Sequence, residues 1–135
     1  MLKGKCLCGA VGIKVEGELE QQPEACHCTQ CRKQTGHFLA AVDVRREALT
    51  VNGNENVSWY QSSDKARRGF CSVCGSTLFW SPTIEGYEYI ALSMGLFEGP
   101  TGAQLEKHIF VGDKGDYYEI GDGLPQSVGW DAGTS

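Results

Sequence analysis

Apolar and polar positions alternate in short runs along this chain, and the runs are broken by glycine, asparagine and proline. Residues 10–16, Ala-Val-Gly-Ile-Lys-Val-Glu, alternate apolar with small or polar side chains after a Cys-Gly turn, the pattern of a half-buried strand. Residues 37–44, His-Phe-Leu-Ala-Ala-Val-Asp-Val, form an apolar run suited to a core strand. Stretches 48–51 and 56–61 flank Asn52-Gly53-Asn54, which favours positive φ, and predict a hairpin. Stretches 67–70 and 76–80 enter and leave a Cys-x-x-Cys-Gly turn, predicting a second hairpin of zinc-ribbon type, and 87–94 and 108–111 supply the remaining strands. The polar segment 17–24 reads as a loop, 29–36 as a helical turn or tight loop ending at glycine, and 95–105 as a glycine-rich loop with room for a helical turn. These elements predict a mainly β protein of short strands.

Composition sets the bounds. A chain of 135 residues suits one domain, so 1–135 reads as a single domain with its core over about 1–120 and a polar C-terminal tail over 121–135, anchored by Trp130. Eighteen glycines exceed the globular average, which fits tight turns between short strands. A formal net charge of -5, with no Lys/Arg run to override it, disfavours nucleic acid and acidic membranes as partners. No apolar stretch approaches the roughly 20 residues of a membrane span, and the first six residues lack the apolar core of a secretory signal. The expected location is cytoplasmic. Neither the oligomeric state nor the physiological substrate has a signature at this level.

The seven cysteines change the picture most. Cys26, Cys28 and Cys31 gather three thiols with no fourth nearby, whereas Cys6-x-Cys8 and Cys71-x-x-Cys74, each followed by glycine, make one complete set of four. Four protein ligands close a zinc site as a structural one, and three leave a position for water or substrate. Thiolates favour zinc over magnesium or calcium, with iron the competing metal, so the expectation is two zincs per chain. An odd thiol count without a secretory signal argues against a disulfide framework. The four-cysteine site would tie the N-terminal strand to a distant hairpin, and Lys3, Lys5, Arg67 and Arg68 lie close enough in sequence to offset its negative charge.

An open three-thiolate zinc is a Lewis acid able to bind and activate an external thiol or water. The competing reading is a second structural site completed by histidine. His27, between two ligands, is expected to point away, and His37 or His108 reach the metal only through the fold. Arg32 and Lys33, the nearest cations in sequence, suit a substrate carboxylate, although such residues are as readily solvated surface. His108 and Trp80 are candidates to line a pocket, against the commoner role of such residues in packing.

With these residues placed, the chain resembles the glutathione-dependent formaldehyde-activating family, which includes the centromere protein V group. The pieces that carry the resemblance are Gly-Lys-Cys-Leu-Cys-Gly-Ala-Val at 4–11, Cys-His-Cys-Thr-Gln-Cys-Arg at 26–32 with Gly36, Phe-Cys-Ser-Val-Cys-Gly-Ser at 70–76 and Lys-His-Ile-Phe-Val at 107–111. It implies a β-tent fold of short antiparallel sheets, stapled by a structural zinc on Cys6, Cys8, Cys71 and Cys74. It also implies a catalytic-type zinc on Cys26, Cys28 and Cys31, and carbon-sulfur lyase chemistry. In the founding case that chemistry joins glutathione and formaldehyde to give S-hydroxymethylglutathione. The aromatic that the family carries after the His-Ile strand is here Tyr117 or Tyr118. Glutathione then enters as the candidate co-substrate, and a small-molecule thiol or glutathione adduct as the expected partner. The alternative is a zinc-stabilised protein-interaction module with both metals structural, which a fourth ligand on the three-cysteine metal would favour.

Overall fold

The computed structural model describes residues 1–130, so the last five residues of the expected tail lie outside it. Ten strands form two sheets among the described residues: β1 (Leu2–Lys5), β2 (Gly12–Val15), β3 (Glu24–Cys26), β4 (Leu39–Arg45), β5 (Leu49–Asn52), β6 (Val57–Gln61), β7 (Ala66–Cys71), β8 (Thr77–Pro82), β9 (Tyr89–Ser93) and β10 (Lys107–Ile109). The smaller sheet has the order β1-β2-β5, and the larger β10-β3-β4-β9-β8-β7-β6. All the strand pairs are antiparallel except β10 with β3. The fold is mainly β, as expected. A short helix, α1 (Thr29–Thr35), follows β3.

Period-two apolar sets account for the core. Ile13 and Val15 on β2, Val42 and Val44 on β4, Ile90 and Leu92 on β9 and Phe79 on β8 are buried together in one cluster. The other face of the larger sheet is different in kind. Its cross-strand partners run Cys26 to Leu39 between β3 and β4, Asp43 to Ala91 between β4 and β9, Trp80 to Ala91 between β8 and β9, and Arg68 to Trp80 between β7 and β8. Directly opposed residues share a face, so this row carries thiol, carboxylate, indole and guanidinium rather than core aliphatics.

The turn at Asn52-Gly53-Asn54 does not make the expected hairpin. β5 pairs with β2 in the smaller sheet, whereas β6 pairs with β7 in the larger, so the turn hands the chain from one sheet to the other. Its positive φ is nevertheless real: Gly53 has φ 76°, and a Cβ there would drive into the carbonyl of Ala10. The β7–β8 hairpin forms around Cys71-x-x-Cys74, with a register shift at Gly69/Phe70. Two strands were unforeseen. β1 pairs with β2, and β3 arises at the end of the segment read as loop. The glycine-rich loop does hold a helical turn, a 3-10 turn over Met94–Leu96.

Residues 125–129 run beside β10, with backbone bonds from His108 N–H to Pro125, Ser127 N–H to His108 and Val111 N–H to Ser127. Trp130 packs edge-on against Phe110, with ring centroids 4.9 Å apart. No helix among the described residues is long and apolar enough to cross a membrane.

Candidate functional site

Two knuckles bring four sulfurs together. Cys6 and Cys8 leave β1 into the turn at Gly9, and Cys71 and Cys74 bracket the turn between β7 and β8 at Gly75. The Sγ atoms of Cys6 and Cys8 are 3.7 Å apart, those of Cys6 and Cys71 3.7 Å, and those of Cys8 and Cys71 3.8 Å. Sulfurs at tetrahedral corners about 2.3 Å from a central zinc are about 3.8 Å apart, so the donor set fits that ion. Backbone amides support the sulfurs: Val11 N–H donates to Cys6 at 3.3 Å, Ala10 N–H to Cys8 at 3.5 Å and Val73 N–H to Cys71 at 3.4 Å. Ser76 hydroxyl lies 3.2 Å from Cys74 Sγ and, with the Ser76 backbone, holds that thiol down at about 5.

The second set is local. β3 ends at Cys26, Cys28 caps α1 by accepting from Cys31 N–H at 3.3 Å, and Cys31 is buried in the first turn. All three Sγ atoms lie within 4.8 Å of one another, and no histidine or carboxylate joins the group among the described residues. Gly36, in the left-handed conformation, ends the helix. Hydrogen bonds from Cys26 and Cys31, then the Cys31 amide and the charge of Arg68, hold the Cys28 thiol down to about 2. The bond to Cys28 and then that to Cys31 push Cys26 up. Three thiols this close share one negative charge readily and three only with a cation, which is the donor chemistry of a soft metal site.

His27 turns away from the sulfurs. Its Nδ1 meets Tyr118 Oη, its Nε2 lies 2.8 Å from His108 Nδ1, and His108 Nε2 lies 2.7 Å from Asp122 Oδ2. Burial, reinforced by the charges of His108 and His37, lowers His27 to about 4, so the ring is neutral at neutral pH. One assignment satisfies every group: Tyr118 O–H donates to His27, His27 to His108, and His108 to the Asp122 carboxylate. His37 is bonded to Tyr117 Oη at 2.6 Å instead. Histidine completion of the three-cysteine site is therefore not what the fold builds.

A cavity of about 820 Å³ opens over these sulfurs on the row of mixed side chains described above. Trp80 lines it, together with Ile109, Phe110 and Trp130. Its cations are Lys65 and Arg68. Arg32 and Lys33 do not line it: Arg32 keeps a buried Nε without a hydrogen-bond partner, and Lys33 lines a second cavity of about 700 Å³ that shares Gln30 and Arg68 with the first. Arg68 does not serve the four-cysteine site, as its position in sequence suggested. Its Nη1 lies 3.5 Å from Cys31 Sγ and 2.9 Å from Gln34 Oε1, while Arg67 stacks over Trp59 at 4.0 Å. Lys5 lies instead 3.9 Å from Glu98. Asp43 also lines the cavity. Its signal in the sequence was a lone carboxylate inside an apolar run.

Comparison with known proteins places this arrangement in a family. The profile described as "Glutathione-dependent formaldehyde-activating enzyme" matches residues 1–113. An uncharacterized lyase of Schizosaccharomyces pombe is 33% identical over 118 residues, covering 87% of this chain and 84% of that protein. A Halomonas elongata protein, provisionally named a glutathione-dependent formaldehyde-activating enzyme, is 30% identical over 132 residues, covering 89% and 81%. A crystal structure of a Rhodobacter sphaeroides protein superposes with a TM-score of 0.59 at 32% identity, covering 73% of this chain and 89% of that one. With its two cysteine sets in the order and place that carried the resemblance, the chain belongs to the glutathione-dependent formaldehyde-activating enzyme family.

Proposed function

We propose that this protein is a zinc-dependent carbon-sulfur lyase that joins a thiol, with glutathione the leading candidate, to a small carbonyl compound such as formaldehyde, or releases it. The observation that carries the reading is a three-sulfur set without a fourth protein donor among the described residues, lying in the floor of a cavity. The membership just established supports lyase chemistry.

In this reading Cys6, Cys8, Cys71 and Cys74 hold a structural zinc, and Cys26, Cys28 and Cys31 hold a second one with a position free. Zinc bound there would supply a Lewis acid that favours the thiolate form of an incoming thiol. The chain's own residues then set the stage. Arg68, buried beside Cys31, offsets the negative charge of the three thiolates. Ile109, directly opposite Cys26, and Phe110 give the reacting carbon an apolar wall. The new bond joins sulfur to the carbonyl carbon, and the proton lost by the thiol ends on the former carbonyl oxygen. Lys65 and Arg68 on the cavity wall, with Lys33 in the adjoining cavity, supply the positive side chains for the carboxylates of the thiol. Cysteine chemistry of this kind suits a reducing, cytoplasmic setting.

Exchange spectroscopy with glutathione and formaldehyde tests the proposal directly. The protein should accelerate interconversion of the free and hydroxymethylated thiol, and no acceleration with any thiol tried would remove the lyase reading. A pure interaction module would need a fourth ligand at the second site, and the buried histidines nearest to it are bonded to each other.

A further inference from the structure

Among the described residues, Asp43 is a half-buried charge on the cavity wall that the fold does not answer, whereas Lys65 and Asp113 on the same wall are exposed to water. Asp43 sits on β4 four residues past Leu39, the residue directly opposite Cys26. At about 3.3 Å per residue that places its backbone roughly 13 Å along the strand from the level of Cys26. The register puts both on the same face, and both line the same cavity. No hydrogen bond or ion pair engages the Asp43 carboxylate among the described residues. Its neighbours Arg45 and Arg46 are committed elsewhere, Arg45 to Glu20 and Glu88 and Arg46 to Ser81 and the carbonyls of Tyr87 and Pro82. An unpaired carboxylate in a partly buried site is costly, and a ligand that brings a cation removes the cost.

The surroundings point to the same kind of ligand. Trp80 lies across Ala91 from Asp43 in the sheet, burial and then the Asp43 charge push the Tyr87 hydroxyl up, and both rings line the cavity. A carboxylate that shares a cavity wall with aromatic rings is the chemistry that binds an ammonium group.

We propose that Asp43, with Trp80 and Tyr87, is the subsite for an ammonium group on the thiol co-substrate, and that it selects amino-acid-derived thiols whose ammonium lies roughly 10 Å from sulfur. Glutathione in an extended form meets that spacing, since eight bonds at about 1.25 Å of projected length separate its sulfur from its α-nitrogen. The inference rests on the proposed thiol chemistry for the identity of the ligand, and not on any reaction occurring.

Calorimetry with S-methylglutathione on the metal-loaded full chain tests it, because the capped sulfur takes no part in turnover. The comparison ligand is N-acetyl-S-methylglutathione, which keeps the shape and removes the ammonium charge. The wild-type protein should prefer the free ammonium by about tenfold or more, as for a hydrogen bond between charged groups. Asp43→Asn should reduce that preference to within about twofold while binding the acetylated ligand as the wild type does. Equal binding of the two ligands by the wild type, or no binding of either, overturns the proposal without any variant. A preference that survives in Asp43→Asn, or an equal loss for both ligands, also overturns it. The exchange experiment stands apart: acceleration there with no ammonium preference here would keep the lyase reading and remove this one.

Discussion

The Arg68 guanidinium lies 3.5 Å from Cys31 Sγ with its Nε unpartnered, the residue is 5% exposed, and its charge acts on Cys28 and Cys31. Arg68→Gln should therefore weaken metal binding at the three-cysteine site by about 10- to 100-fold, as for residues behind a metal's direct ligands, and Arg68→Lys by less. Competition with a chromophoric chelator measures this, with the four-cysteine zinc as internal control; an unchanged affinity would remove the charge-balancing role. Asp43 makes a separate prediction. Burial pushes its carboxyl up, so the folded protein binds that proton more tightly than the unfolded chain does. Stability then falls as pH rises between the unfolded and folded values, and the deficit persists at neutral pH. Asp43→Asn should melt higher than the wild type at pH 7, with the gap narrowing as the pH falls towards the carboxylate range; a lower melting temperature at pH 7 contradicts it. The cysteine partition could be read from spacing alone because local spacing constrains which sulfurs can meet. Arg67 and Arg68 could not be told apart that way. Adjacent residues on a strand face opposite sides, and only the register of β7 decides which one reaches Cys31.

At the level of elements, the knuckle between β7 and β8 fastens the larger sheet to β1 and β2 of the smaller one, across 65 residues of chain in the pair Cys6 and Cys71. Cys71→Ser should lose a zinc and much of the folding free energy, of which such a metal supplies on the order of 10 kcal/mol, and appear as aggregation or a broad thermal transition. Cys31→Ser, in a set held within one β3–α1 segment, should lose or weaken the second zinc and abolish thiol chemistry while leaving the fold and the first zinc. Equal unfolding of the two variants would make both sites structural. The turn at Gly53 offers a metal-free check. Gly53→Ala forces a non-glycine residue to positive φ against the Ala10 carbonyl, and should cost about 1–3 kcal/mol or more in urea unfolding. A cost near zero would mean that Ala10 yields easily. That glycine announced a turn but not its partners. Positive φ specifies a change of direction, whereas the choice of neighbour was made by Leu49 and Val51, which lie opposite Val15 and Ile13 on β2. The limits of α1 were legible because a capping side chain at Cys28 and a left-handed Gly36 are local devices.

For the whole molecule, elemental analysis of freshly purified protein should find about two zincs per chain, and graded chelation should remove them in two stages. The first loss should end thiol exchange with little change in melting temperature, and the second should bring the fold down; a single stage in which both are lost together contradicts the division into open and closed sites. Some parts of the assembled molecule lie outside what the family match covers. The matched stretch ends at residue 113, yet the hydroxyl that meets His27, the carboxylate that meets His108 and the indole of Trp130 on the cavity wall come from residues 118, 122 and 130. The thiols and most of the cavity wall are thus written in the matched stretch, whereas the partners of the two buried histidines and one aromatic of the wall come from the closing segment, and the two can drift at different rates. Relatives can inherit one reaction and retune one end of its cavity by editing only the closing segment. Exchanging residues 114–130 between two relatives should alter thiol binding at the Trp130 end of the cavity, while the ammonium preference set by Asp43 and the zinc content of each recipient stay as they were.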